Sequence, residues 1–392
     1  MELLRREPFA VSKKYPLLIL FAVFLYALTI ASLLTPPRED SVMENRKLAQ
    51  KPKLTVSSLL AVRTADKYTQ KYETFMNDQF IGRDGWITLK SICESALGKI
   101  ENNGVVYGRN GYMFDKFTSL DERRLNLNIQ TVTEFVNAYG ADTPVTVAIV
   151  PNSYQTLEDE LPAGLDNINQ AAEIEALYKQ IPEAAHKLDL LPVMRKSADA
   201  GQAYYRTDHH WTTRGAYAAY QAFVSSRGLQ AADWDQLASV RREQPGFYGT
   251  YYNKCKLFSA KPDTIEWYDI PIDSMTIAGK EMGGMYDMEK WDQHNKYDAF
   301  LWSNNDLTII RSQNNLNHEE GKTTRILLIK DSYGNSFAPF LTYSYDEVWV
   351  VDPRFLMTPM SELMTQNTFD DVLILYNFKS FAEDSNIYTI SK

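Results

Sequence analysis

A parallel α/β sheet flanked by helices, carried behind a single N-terminal transmembrane helix, is the fold class that this 392-residue sequence predicts. Three observations predict it. From residue 128 onward, helix-sized amphipathic stretches alternate with short runs rich in Val, Ile and Leu, the pattern of strands covered on both faces by crossover helices. Eighteen uncharged residues, Leu17 to Leu34, follow a basic N-terminus. A hydrophobic fraction of 44%, with 12% aromatic residues, is ample for a large packed core.

Arg5, Arg6, Lys13 and Lys14 precede the apolar run, which places its basic end in the cytoplasm and the remaining chain outside. A cleaved signal peptide is the rival reading, with Thr29-Ile30-Ala31 as a weak cleavage site. The run is long for such a peptide, however, and no Ala-x-Ala pattern follows it. Residues 1–35 therefore read as tail and anchor. Residues 36–55, opening on Pro36-Pro37 and Arg38-Glu39-Asp40, read as a polar tether. Tyr68, Tyr72, Phe75 and Phe80 recur at near-helical spacing, the signature of a packed helix face. Two apolar runs around Asn110-Gly111, within Val105 to Phe114, signal a hairpin. Residues 56–125 thus form a helix-and-hairpin module leading into the main domain, 126–392.

In that domain the patterns predict helices over 128–139, 168–181 and 214–223. They predict strands over 145–150, 188–193, 325–329, 347–351 and 372–376. Residues from about 230 to 320 break the rhythm and read as an aromatic-rich insertion, including Trp234, Phe247, Tyr251, Trp267, Trp291 and Tyr297. Core packing is the expected use of most of these rings, with one or two facing a ligand.

Charge and cysteine content narrow the function. A net charge of −9 and a pI near 5.2 argue against a nucleic-acid partner held through phosphates. Cys93 and Cys255 are too few for a zinc site or a disulfide framework, and both one bridge and two free thiols stay open.

The chemistry concentrates in two places. Thr207-Asp208-His209-His210-Trp211 sets a carboxylate beside two of the five histidines, and Ser332 follows the strand-like run Leu327-Leu328-Ile329. Ligand sites of open α/β sheets form beyond the carboxyl ends of strands, where Ser332, Asp352 and Asn377 all fall. A serine hydroxyl attacks an acyl carbon only when a base takes its proton, and the imidazole works best when a carboxylate fixes its tautomer. Ser332, His210 and Asp208 supply these roles; the Asn377 amide and the Ser332 backbone N–H are candidate oxyanion donors. A lone Ser before a helix is usually an N-cap, and a lone His beside Trp is usually a satisfied core residue. The doubled His beside Asp, with a serine at the sheet's edge, favours catalysis. A metal-dependent phosphoesterase would need further ligands in recognisable spacing, which His186, His294 and His318 do not show. No metal or other cofactor is expected.

Tyr205-Arg206-Thr207-Asp208-His209-His210-Trp211-Thr212 resembles the signature of the DHHW family, related to alginate O-acetyltransferases and to the wider SGNH hydrolase-like group. The resemblance extends to the anchor, to Asn77-Asp78 with Gly82-Arg83-Asp84, and to the Gly108 to Phe114 hairpin. It implies an SGNH-like sheet that is circularly permuted, because the Asp/His block precedes the serine block. It also implies Ser332 as nucleophile, Asp208 and His210 as acid and base, and Asn377 in the oxyanion block. Tyr333, His209 and Arg354 become candidate oxyanion or substrate contacts. The sequence departs from the hydrolase pattern at Lys330, where Gly-Asp-Ser would have Gly, and at Asp352-Pro353-Arg354, where a glycine block would fall. The implied activity is transfer of acetyl groups, outside the cytoplasm, to a cell-surface polysaccharide. The implied partner is a multispanning membrane acyltransferase that delivers the acyl group. A carbohydrate esterase and a non-catalytic polysaccharide-binding protein are the alternatives.

Overall fold

The computed structural model describes residues 15–41 and 46–392, so the four N-terminal cations, Arg5, Arg6, Lys13 and Lys14, lie outside the described residues. The chain divides into two compact units between Glu94 and Ser95.

In the first unit the apolar run forms a helix, Pro16–Leu34, with no buried residue. Pro at its start costs nothing, since the first N–H groups of a helix have no intrahelical acceptor. Nineteen residues rise about 28 Å, close to the ~30 Å hydrocarbon thickness of a bilayer. It is the one helix long and apolar enough to cross a membrane among the described residues. Beyond it, β1 (Asp40–Ser41) pairs antiparallel with β2 (Arg46–Lys47). The Gln79 side chain accepts from the Arg38 N–H and donates to the Arg38 carbonyl, both at 2.8 Å. Asp78 accepts from the Ala49 N–H, also at 2.8 Å. Helices Tyr68–Asp78 and Arg83–Ala96 flank a turn at Gly82, whose φ of +65° suits glycine.

The second unit opens with a three-stranded meander, β3 (Glu101–Asn102), β4 (Val105–Tyr107) and β5 (Met113–Asp115). Asn110 and Gly111 adopt positive φ between β4 and β5, as the Asn-Gly signal predicts. The main sheet follows from β6 (Val145–Val150), β7 (Ala185–Asp189), β10 (Ser274–Ile277), β11 (Lys280–Met282), β12 (Leu307–Arg311), β13 (Arg325–Lys330), β14 (Glu347–Val351) and β15 (Asp371–Asn377). The pair β8 (Arg241–Phe247) and β9 (Asp263–Tyr268) forms a separate ribbon.

The sheet order is β11-β10-β12-β14-β13-β15-β6-β7. β14, β13, β15, β6 and β7 run parallel, whereas β12, β10 and β11 are antiparallel additions. The sheet is therefore mixed, which corrects the expectation of a parallel one. The antiparallel edge comes from the insertion, where Ala278 and Gly279 turn β10 back into β11 through two positive-φ residues. Such tight connections allow only antiparallel neighbours.

The inner parallel strands β6, β13, β14 and β15 read as largely apolar runs because both their faces are buried, whereas the edge strand β7 is partly exposed. Leu327 and Ile329 of β13 enter one core with the helix Glu122–Tyr139, while Ile326 and Leu328 enter the other with the helix Thr213–Ser226. A second correction concerns 188–193, expected as a strand. The strand ends at Asp189 and a helix, Leu191–Ala200, begins with Pro192 in its first turn, the Asp189 carboxylate accepting from the Leu191 N–H at 3.0 Å. The Asp-His pair consequently follows a helix.

Candidate active site

The loop between helices Leu191–Ala200 and Thr213–Ser226 carries Asp208, His209 and His210, and is closed on itself by a bridge between Tyr204 and Trp211. The turn after β13 carries Ser332, two residues before the helix Gly334–Leu341. The fold brings these two segments together. Asp208 Oδ1 lies 2.6 Å from His210 Nδ1 and also accepts from the His210 N–H at 2.9 Å. His210 Nε2 lies 2.7 Å from Ser332 Oγ. With Nδ1–H donated to the carboxylate, Nε2 is left as the acceptor for the serine hydroxyl.

Three further ties hold the segments in register. Trp211 Nε1 donates to the Tyr333 carbonyl at 3.1 Å and to Ser336 Oγ at 3.0 Å. The Tyr333 hydroxyl donates to the His209 carbonyl. Tyr297 stacks its ring on the His210 imidazole, with centroids 3.7 Å apart and planes 11° from parallel, and donates its hydroxyl to the Ser332 carbonyl at 3.1 Å.

The insertion supplies this support, and the motif reading missed it. Asp263, at the start of β9, accepts from the N–H groups of Arg206 and Thr207 and from the Thr207 hydroxyl, at 3.1, 2.9 and 2.7 Å. The Thr250 N–H donates to Asp208 Oδ2 at 2.7 Å. Gly249 lies so close that a Cβ there would stand 2.1 Å from Asp208 Cβ. Nothing local marks these positions, because each role arises from a contact across the fold. Most of the insertion's rings do fill the core, among them Phe247, Tyr251, Trp267 and Trp291.

The Asn377 amide donates to the Val150 carbonyl at 3.2 Å and its side-chain oxygen caps the helix Phe378–Glu383, so these hydrogen bonds tie it to the scaffold rather than to Ser332. Tyr333 is fully buried with its hydroxyl engaged. Arg354 grips Asp352 through Nε and Nη2 at 2.8 and 2.5 Å, and Lys330 shares that carboxylate at 3.3 Å. An ionic triplet, with Lys330 and Asp352 buried and Arg354 partly exposed, thus stands where the hydrolase pattern has glycines. His209 Nδ1 meets the Thr250 hydroxyl at 2.7 Å, and its ring remains 30% exposed. Asp208, His209 and His210 present ligand-type atoms within 4.8 Å of one another, and both Asp208 oxygens, His209 Nδ1 and both His210 nitrogens take part in the hydrogen bonds above. Cys93 and Cys255 are both free thiols.

Burial works against ionisation of Asp208, yet His209, His210 and the Thr250 N–H outweigh it and hold the carboxyl well below its usual range. Burial, reinforced by His210, pushes His209 down to about 4. As pH falls, the unfolded imidazole takes up a proton near 6.5 and the folded one only near 4, so stability should fall across that window. Asp208 contributes stability above the ordinary carboxylate pKa, which is lost only at still lower pH. Given the partial exposure of the His209 ring, the expected loss is about 1–3 kcal/mol. Urea midpoints measured from pH 7 to 4 check this: His209→Gln should flatten the slope, and an unchanged slope would reject the assignment.

Fold and site together define an α/β protein whose mixed sheet presents a hydrogen-bonded carboxylate, imidazole and serine. The chain belongs to the DHHW protein family, whose model matches residues 93–351. It is similar to a probable alginate O-acetylase AlgJ of Pseudomonas syringae pv. tomato, 25% identical over 244 residues, covering 56% of this chain and 59% of that relative. A DHHW family protein from Eubacterium siraeum shares the fold, with a TM-score of 0.62 at 22% identity over 74% of this chain and 96% of that one. Bacillus cereus PatB1, solved with a sulfonyl adduct, does so with a TM-score of 0.58 at 16% identity over 74% and 98%.

Proposed function

We propose that this protein is an extracytoplasmic O-acetyltransferase that modifies a cell-surface polysaccharide through an acetyl-serine intermediate. The observation that carries the reading is the continuous hydrogen-bonded series Asp208, His210, Ser332, at 2.6 and 2.7 Å. Ser332 Oγ attacks the acetyl carbonyl as its proton passes to His210 Nε2, and His210 returns that proton to the departing oxygen. A sugar hydroxyl then gives its proton to His210 and takes the acetyl group, after which Ser332 regains its proton. Asp208 holds the imidazole in the required tautomer. The Ser332 backbone N–H, which donates to no acceptor among the described residues, is the first oxyanion donor.

Similarity to the probable alginate O-acetylase supports a polysaccharide as acceptor. The helix Pro16–Leu34 acts as a retained anchor beside a multispanning acyltransferase that delivers the acetyl group. The order of the site segments, Asp208 and His210 before Ser332, corresponds to a circular permutation of the SGNH arrangement.

The test is incubation of the full chain in detergent with an activated acetyl ester, followed by intact mass and peptide mapping. An acetyl group on Ser332 that is absent in Ser332→Ala and discharged faster by an oligosaccharide acceptor is the expected result. Acetylation elsewhere, or none, would overturn the serine mechanism; discharge indifferent to the acceptor would make the protein an esterase.

A further inference from the structure

We propose that residues 54–62 form an interfacial foot that rests in the headgroup layer of an anionic bilayer, beside the point where the N-terminal helix emerges. This rests on the reading of that helix as a retained anchor. Leu54, Val56, Leu59, Leu60 and Val62 are all between 57% and 94% exposed, a run of large apolar side chains without protein cover. Exposed clusters of this kind mark an interaction surface rather than ordinary surface variation.

The surroundings identify the occupant. Between residues 46 and 67 the chain carries six cations, Arg46, Lys47, Lys51, Lys53, Arg63 and Lys67, and a single acidic residue, Asp66, although its overall charge is −9. Lys51, Lys53, Arg63 and Lys67 are exposed beside the apolar run. Apolar side chains flanked by lysine and arginine match a layer of anionic headgroups over acyl chains. The Thr55 and Ser58 side chains each accept from the other's backbone N–H, at 3.2 and 3.1 Å, so the short helix Val56–Leu59 has part of its donor set satisfied before it meets lipid.

Position agrees with composition. Ser32, in the last turn of the apolar helix, accepts from the Ile81 N–H at 3.5 Å, and the neighbouring Gln79 side chain donates to the Ala49 carbonyl at 3.0 Å. Leu54 lies five residues beyond Ala49, a span of at most about 18 Å. The foot is therefore leashed to the end of the helix that would leave the bilayer, through contacts inside the same unit.

Site-directed spin labelling of the full chain tests the proposal. In a Cys93→Ser background, with Cys255 buried, Leu60→Cys is labelled and reconstituted into vesicles of phosphatidylcholine with phosphatidylglycerol. Phe24→Cys in the helix and Glu183→Cys, whose native side chain is 99% exposed, serve as references. The label at 60 should collide with oxygen in preference to a nickel chelate several-fold more than the label at 183. That preference should fall in pure phosphatidylcholine. A label at 60 as accessible to nickel as that at 183 would overturn the foot while leaving the anchor intact. Shielding from both reagents would overturn it in favour of a protein cover. A water-exposed label at 24 would remove the anchor and the foot together.

Discussion

Asp208→Asn is expected to slow acetyl turnover about 10⁴-fold, the size of loss seen when the aspartate orienting a catalytic imidazole becomes asparagine. Both carboxylate oxygens are acceptors: Oδ1 faces two His210 N–H groups and Oδ2 faces the Thr250 N–H. An amide cannot serve both sides. If its oxygen faces His210, its NH₂ opposes the Thr250 N–H. If it flips, the NH₂ faces Nδ1 and drives the proton to Nε2, so the imidazole presents a donor to Ser332 instead of an acceptor. The fold should persist, because the substitution preserves volume. Steady-state ester turnover and the rate of Ser332 acetylation should fall together, and a loss below tenfold would deny Asp208 its proposed role.

Gly249→Ala is expected to lower turnover comparably and to cost stability as well, about 1–3 kcal/mol for forcing atoms into a filled space. The added Cβ would fall 2.1 Å from Asp208 Cβ and 2.3 Å from Oδ2. The backbone has little freedom to retreat, since the Gly249 N–H donates to the Thr207 hydroxyl and the next N–H holds Asp208. Gly249 has negative φ, so the requirement for glycine is one of space rather than of backbone conformation. Denaturant unfolding and ester turnover measured on the same preparation check both parts; native-like values in each would show that the loop can yield.

The grouping of Asp208, His210 and Ser332 was legible because a carboxylate, an imidazole and a hydroxyl at loop positions beside apolar runs make an uncommon set. The strands at 145–150 and 347–351 were legible to the residue, since strands buried on both faces leave largely apolar runs. At 188–193 the apolar signal misled, because Leu190 and Leu191 continue the run while Pro192 already opens a helix. The antiparallel edge escaped because β10 and β11 are short and partly exposed. Asp263 and Tyr297 escaped for a different reason: their partners lie 35 to 87 residues away along the chain, and no local pattern encodes such a meeting.

The His210–Ser332 hydrogen bond closes a loop of 122 residues, and that loop contains Gly249, Thr250, Asp263 and Tyr297. Closing so long a segment is entropically slow, and contacts of this separation form late in folding. On the proposed extracytoplasmic topology, Asp208 and His210 would reach the outer side well before Ser332. The reactive serine would thus be assembled only after the insertion has found its place. Nucleophilicity at Ser332 would then report completed folding, and a refolding experiment that follows serine labelling should lag behind the recovery of helical signal.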